Sequence, residues 1–181
     1  TSLLGIMAVK EALDMAGDTG GQSTLISGTS VGGMDLTEQF YKKALKQNDY
    51  SDIGVLQTHD CGETSFRIAS YFKNISAVHT ISTACSSSAN AMIMGAKLLK
   101  TGKAKRVIAG GVDPLSMFTA NGFNSLMILD NEWCKPFSAN RKGLNLGEGA
   151  AFLVLENEAD VEGKKIYGYL SAYANTNDAY H

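Results

Sequence analysis

Apolar positions recur with two different periods along this chain. Leu4, Met7, Ala8, Ala12 and Met15 share one face at helical spacing, and Gly17 follows as a stop signal. Ser23–Gly28 (STLISG) reads as a short strand that runs into a turn holding Gly28, Gly32 and Gly33. A polar amphipathic helix is expected over 34–46, a long loop over 47–60, and a further helix from Gly62-Glu63-Thr64 to Phe72. The β-branched run 77–83 (AVHTIST) predicts a strand, 86–100 a helix, and 105–112 a strand ending in Gly110-Gly111. Residues 114–147 are mixed, with short helices and glycine turns. The continuous apolar run 150–156 (AAFLVLE) has the pattern of a fully buried strand, and 166–173 (IYGYLSAY) predicts one strand more. Strands alternating with helices predict the α/β class with a largely buried sheet. The charged stretch 157–165 reads as a surface connection.

Composition narrows the classes. With 44% hydrophobic and 19% charged residues over 181 positions, a core is within reach and disorder is excluded as the main state. A net charge of -2 offers no field for nucleic acid or an anionic membrane. No apolar run is long enough for a membrane span. Cys61, Cys85 and Cys134 are widely spaced, with no CxxC element, so a disulfide framework is not expected. His59 and Cys61 lie two apart with no second pair to complete four ligands, and no metal or cofactor is expected. Such cysteines fit a reducing cytoplasm. The chain opens at Thr1 without an initiating Met or a signal segment and closes at His181 just after a turn-like stretch, so an internal fragment truncated at both ends is expected.

The densest chemistry lies at Ser82-Thr83-Ala84-Cys85-Ser86-Ser87-Ser88-Ala89, where a strand ends and a helix begins. That puts the Cys85 sulfur at a helix N-terminus, whose free N–H groups and dipole favour a thiolate. The first turn carries serines and no acid, which leaves the positive potential to the sulfur. The helix stays apolar through Ala91, Met92, Ile93, Met94 and Ala96 until Lys97, so it is expected to be buried on nearly all sides, with a deep site. Geometry alone leaves an inert buried cysteine open, and the serines alone would suit an ordinary capped helix. The segment 28–33 (GTSVGG) hints at a phosphate cradle. It lacks the lysine of a P-loop and the GxGxxG order, and nucleotide binding is not expected. Met117-Phe118 and the cluster 123–129 read as core, His79 as packed or paired within its strand, and Arg141 as an ion-pair residue.

Three further segments bear on the choice. They are Gly110-Gly111-Val112-Asp113; Cys134-Lys135-Pro136-Phe137-Ser138 followed by 140–150 (NRKGLNLGEGA); and Asn177-Asp178-Ala179-Tyr180-His181. In this order and at this spacing the chain resembles the elongating β-ketoacyl-[acyl-carrier-protein] synthases, nearest the synthase II branch, along essentially all its length. The resemblance implies a thiolase-like layered αβαβα fold, here incomplete, with a partial ketosynthase domain over 1–181. An N-terminal half would run to about residue 150, and 150–181 would begin the C-terminal half. It implies that Cys85 takes an acyl chain as a thioester and that its backbone N–H is one oxyanion donor. His181 would support malonyl decarboxylation and the carbanion. The second histidine, a lysine and the second oxyanion donor would lie beyond residue 181. The reaction implied is a decarboxylating Claisen condensation with malonyl-acyl-carrier protein, without a cofactor. Glu148 would be structural. Implied partners are acyl carrier protein carrying acyl and malonyl phosphopantetheine, and a second copy joined through the strand at 77–82. Lys42, Lys43, Lys46, Lys100, Lys103, Lys105 and Arg106 are possible contributors to a basic carrier-protein patch. A non-catalytic chain-length partner subunit, a degradative thiolase and a cysteine acyl hydrolase are the competing readings.

Overall fold

A computed structural model describes residues 1–17 and 20–177. Four strands form one sheet in the order β2-β1-β3-β4, with β1 Ser23–Gly28, β2 Ile75–Ile81, β3 Arg106–Asp113 and β4 Gly149–Glu156. β1 is parallel to both β2 and β3, and β4 is antiparallel to β3. Parallel neighbours need crossovers, and helices supply them. The chain runs from α1 (Ser2–Ala16) into β1, and α2 (Met34–Gln47) and α3 (Cys61–Ser70) lead on to β2. α4 (Ser87–Lys100) then carries it past β1 to β3, where α5 (Met117–Ser125) follows.

β1 and β3 occupy the middle, and alternation sends their side chains to opposite layers. Leu25, Ile108, Val112 and Phe152 pack with Val9 and Leu13 of α1 and with Ile68 and Ala69 of α3. Ile26, Val107 and Ala109 pack with Ala91 and Leu99 of α4 on the other side. The expected α/β class is therefore present as a sheet between two helical layers. Each fully buried Leu, Ile or Val adds about 1.5–3 kcal/mol to that sandwich.

Several elements differ from expectation. α1 buries Gly5, Val9 and Leu13, while Met7 and Met15 are exposed. Its sequence offers apolar residues on two overlapping faces; α3 selects the one with glycine, where a Cβ would overlap Ile68. The 47–60 loop contains a 3₁₀ segment, Ile53–His59, and Asp60 then caps α3 by accepting the Gly62 N–H at 2.8 Å. α4 buries a single stripe of Ser87, Ala91, Gly95 and Leu99 rather than its whole circumference, because one sheet face is its only large packing partner among the described residues. β4 buries Phe152 alone and exposes Leu153; among the described residues it has β3 as its one strand neighbour and is antiparallel to it, so it is not the fully buried strand expected. Among the described residues no strand forms over 166–173, where Tyr167 and Tyr169 are exposed. Alternation supplies two faces but no hydrogen-bonding neighbour.

Register between β3 and β4 is marked by charge. Arg106 lies opposite Glu156 and meets its carboxylate at 3.4 Å, and Lys164 meets the same group at 2.7 Å. A slip of one residue would set Arg106 against Leu155 and turn every side chain of β4 over.

α5 buries no residue; Met117, Phe118, Leu126 and Met127 are exposed, contrary to the core expected there. Polar bonds hold it instead. Glu38 of α2 accepts the N–H of Met117 at 2.9 Å and that of Phe118, Ser116 accepts the Thr119 N–H at 3.1 Å, and Glu148 accepts the Leu115 N–H at 3.3 Å. Glu148 thus has the structural part expected of it. The Glu38 carboxylate also meets the positive end of α5. Glu38→Ala is expected to speed amide exchange at Met117 and Phe118 about fivefold, a local loss of about 1 kcal/mol, with the sheet amides unchanged. Residue-resolved hydrogen exchange checks it.

Candidate functional site

The three parallel strands finish at one edge of the sheet, at Gly28, Ile81 and Asp113. In open α/β sheets that edge is where ligands bind. Three loops meet there, and the one after β2 carries Cys85.

Cys85 stands two residues before α4, whose first turn holds no acidic residue. The turn is closed by the local hydroxyls. Ser86 donates from its Oγ to the Thr83 carbonyl at 2.7 Å, and Ser87 Oγ donates to the Ala84 carbonyl at 2.6 Å. Ser87 Oγ also accepts the Thr83 N–H at 2.9 Å, and Asn90 Nδ2 donates to Thr83 Oγ1 at 2.9 Å and to Ser86 Oγ at 3.1 Å. The serines therefore tie the turn under Cys85, while the N-cap Ser86 makes no side-chain cap bond. Ala84 adopts φ +50, a left-handed conformation that costs a non-glycine residue about 1–2 kcal/mol.

Two glycines let this turn descend onto the strand ends. A Cβ at Gly28 would lie 2.6 Å from the Ser88 nitrogen, and one at Gly111 would lie 2.9 Å from both the Gly28 oxygen and Ser88 Cβ. Of the glycines that hinted at a phosphate cradle, Gly28 thus serves backbone contact, as do Gly32, where a Cβ would lie 2.7 Å from the His59 oxygen, and Gly33, where it would overlap the Thr58 oxygen. Asp113 gathers the loop after β1. Its carboxylate accepts from Thr29 Oγ1 at 2.7 Å, from the Ser30 N–H at 2.8 Å and from the Val31 N–H at 3.4 Å. Ser30 Oγ then donates to the Ala84 carbonyl at 3.1 Å. Sequence reasoning assigned no role to Asp113, Ser30 or Asn90. An acidic residue at a strand end after two glycines was the available signal; its partners, more than 80 residues away, carry none.

Cys85 is exposed, not deep. The single buried stripe of α4 leaves the rest of its first turn uncovered among the described residues. His181 lies outside the described residues, together with Asp178, Ala179 and Tyr180. Asn175, six positions before His181, donates from Nδ2 to Asn90 Oδ1 at 3.0 Å, so the segment leading to it meets the Cys85 turn.

The remaining candidates are dispersed. Cys61 opens α3 and is half-buried; Cys134 is exposed and donates its N–H to Asn145 Oδ1 at 2.7 Å. His59 Nδ1 lies 3.1 Å from Thr37 Oγ1, whereas His79 is exposed on β2 rather than packed. Arg141 donates to the Ser138 carbonyl at 3.0 Å instead of pairing with an acid. Among the described residues no group of three or more His, Cys, Asp and Glu could hold a metal ion, and no helix is long and apolar enough to cross a membrane. The basic set also separates. Arg106 is buried against Glu156 and leaves it. Lys100 ends α4 and Lys103 and Lys105 follow it, about 20 Å from Cys85 along 14 helical residues. Lys42 and Lys46 are exposed on α2; Lys43 pairs with Asp52 at 2.6 Å, and that hydrogen bond and charge raise its pKa above the usual lysine value.

The family described as "Beta-ketoacyl synthase, N-terminal domain" matches residues 1–161, a span that holds all four strands and the Cys85 turn. The chain belongs to the beta-ketoacyl synthase family. Among curated relatives, Nodulation protein E of Rhizobium meliloti is 30% identical over 190 residues, covering 99% of this chain and 47% of that protein. The 3-oxoacyl-[acyl-carrier-protein] synthase 2 of Staphylococcus aureus strain N315 is 28% identical over 188 residues, covering 96% of this chain and 44% of that one. The chain thus spans about half the length of the curated relatives it matches. A ketosynthase solved in complex with its chain length factor, from Xenorhabdus doucetiae, superposes with a TM-score of 0.68 at 34% identity, covering 83% of this chain and 38% of that one. The thiolase-like ketosynthase fold is therefore present in part.

Proposed function

We propose that this beta-ketoacyl synthase condenses an acyl thioester with malonyl-acyl-carrier protein, giving 3-oxoacyl-acyl-carrier protein in fatty acid or related polyketide synthesis. The Cys85 thiolate attacks the acyl thioester of the carrier protein; the new C–S bond holds the acyl group and the phosphopantetheine thiol leaves. Malonyl-carrier protein then loses CO₂. The resulting carbanion attacks the Cys85 thioester, and the thiolate is released. The Cys85 N–H stabilises the oxyanion of each tetrahedral intermediate, and His181 supports decarboxylation.

The observation that carries this reading is Cys85 on a fully tied turn at the start of α4, at the ligand-binding edge of the sheet. The Asn175–Asn90 bond supports His181 as its neighbour, since six residues reach at most about 20 Å. Among the described residues no strand lies on the outer edge of β2, which supports pairing with a second copy. An N-terminal half ending near residue 150, and acyl carrier protein as donor, belong to the same reading.

Incubating the full-length protein with acyl-carrier thioester is expected to add one acyl mass to the peptide containing Cys85. The adduct persists until malonyl-carrier protein is supplied, and 3-oxoacyl product then appears. Discharge to free acid without malonyl donor points to a hydrolase and overturns the proposal, as does an adduct at Cys61 or Cys134.

A further inference from the structure

The Ala84 carbonyl oxygen accepts three hydrogen bonds: from Ser87 N–H at 3.0 Å, Ser87 Oγ at 2.6 Å and Ser30 Oγ at 3.1 Å. Three donors fill the two lone pairs of a carbonyl. The same peptide group carries the N–H of Cys85. A peptide is planar and trans, so its C=O and N–H point in opposite directions on one rigid plate. Holding the Ala84 oxygen therefore aims the Cys85 N–H.

Two of the three donors belong to α4 and move with it. Ser30 comes from the loop after β1 and refers the plate to the sheet. That loop is itself fixed by Asp113, the last residue of β3, whose two carboxylate oxygens take the Ser30 N–H at 2.8 and 3.1 Å while also accepting from Thr29 Oγ1 and Val31 N–H. The φ of +50 at Ala84 is unfavourable for alanine and persists where surrounding bonds over-determine it.

We infer that Ser30, oriented by Asp113, is a positioning residue that aims the Cys85 backbone N–H at the oxyanion formed during acyl transfer. This rests on the reading of Cys85 as the acyl-accepting nucleophile. Ser30 acts through the Ala84–Cys85 peptide and forms no bond to substrate. A donor turned away from the developing oxyanion loses strength steeply with angle. Alkylation of the same thiol by iodoacetamide makes a C–S bond and expels iodide with no oxyanion, so it does not depend on that direction.

The two reactions separate positioning from general structure in the full-length protein. Ser30→Ala is expected to slow single-turnover acylation of Cys85 by acyl-carrier thioester about tenfold at saturation, part of the roughly 10²–10³-fold cost of losing an oxyanion donor outright. KM and the iodoacetamide rate stay within about twofold, and Ser30→Thr, which restores the hydroxyl, recovers most of the loss. Asp113→Asn keeps one accepting oxygen and gives a smaller fall, about threefold, again in acylation alone. Wild-type acylation by Ser30→Ala overturns the inference, and so does an equal loss of acylation and alkylation or a threonine variant as slow as alanine. Cys85→Ala run alongside distinguishes the two levels. If it still turns over, the reading of Cys85 fails; if it is dead while Ser30→Ala is normal, the positioning role alone fails.

Discussion

Cys85→Ala in the full-length protein is expected to lower condensation of an acyl primer with malonyl-carrier protein by about 10³-fold or more. No other thiol stands on the tied turn, its hydroxyls at Ser86 and Ser87 are engaged with the Thr83 and Ala84 carbonyls, and the backbone N–H that remains can polarise a thioester but cannot accept the acyl group. The sheet and its helices should be unaffected, because Cys85 is exposed among the described residues and fills none of their core volume. The unfolding midpoint should therefore shift by no more than about 0.5 kcal/mol equivalent. Cys85→Ser should also fail at neutral pH, since a hydroxyl without a partnered base is a far weaker nucleophile than a thiolate. Product formation and the denaturant midpoint, measured on the same preparation, check both halves. Wild-type turnover by the alanine variant would remove the condensing-enzyme reading altogether.

Glu156→Ala is expected to destabilise the fold by about 3 kcal/mol, within the range for breaking a buried pair from one side. The Arg106 side chain is only 4% exposed and Glu156 11%, so the pair lies away from water, and Arg106 keeps its bond to the Gly17 carbonyl at 3.5 Å when Glu156 is removed. Lys164, with a 23% exposed side chain, can turn to water in part. The pair also joins the start of β3 to the end of β4 and so opposes a register slip, together with Phe152 and the partly buried Ala150, Val154 and Leu155. Urea unfolding of the full-length protein measures the loss. Lys164→Ala, which leaves Arg106 and Glu156 paired, should cost less than half as much. Equal effects at the two positions would mean that the buried arginine is not what sets the energy.

Much of the fold was legible because the middle of a parallel sheet writes itself into local sequence. Ser23–Gly28 was read to the residue, as a short β-branched run closed by glycine, and it is buried along its whole length. The start of α4 was legible within one residue from the change of period after Cys85. Edges were not. The run AAFLVLE reads as buried because its composition matches a central strand, but burial depends on what lies beyond β3, where β4 has no further neighbour among the described residues. The apolar stretch around α5 likewise signals contact without naming a partner, and here Glu38 holds the helix by its first N–H groups while Glu148 holds Leu115 just before it.

By itself, then, the sequence determined that strands and helices alternate, that a cysteine stands where a strand passes into a helix, and that its flanks carry hydroxyls and no acid. Those are short-range properties, set by period, side-chain size and local charge. Tertiary structure decided which face of α1 is buried, that the described residues leave Cys85 exposed, and that Asp113 and Ser30 converge on the peptide before the sulfur. These last contacts join residues 54 to 84 positions apart through the ends of three strands. A contact of that kind depends on strand order and register, which no local pattern of apolar and polar residues encodes.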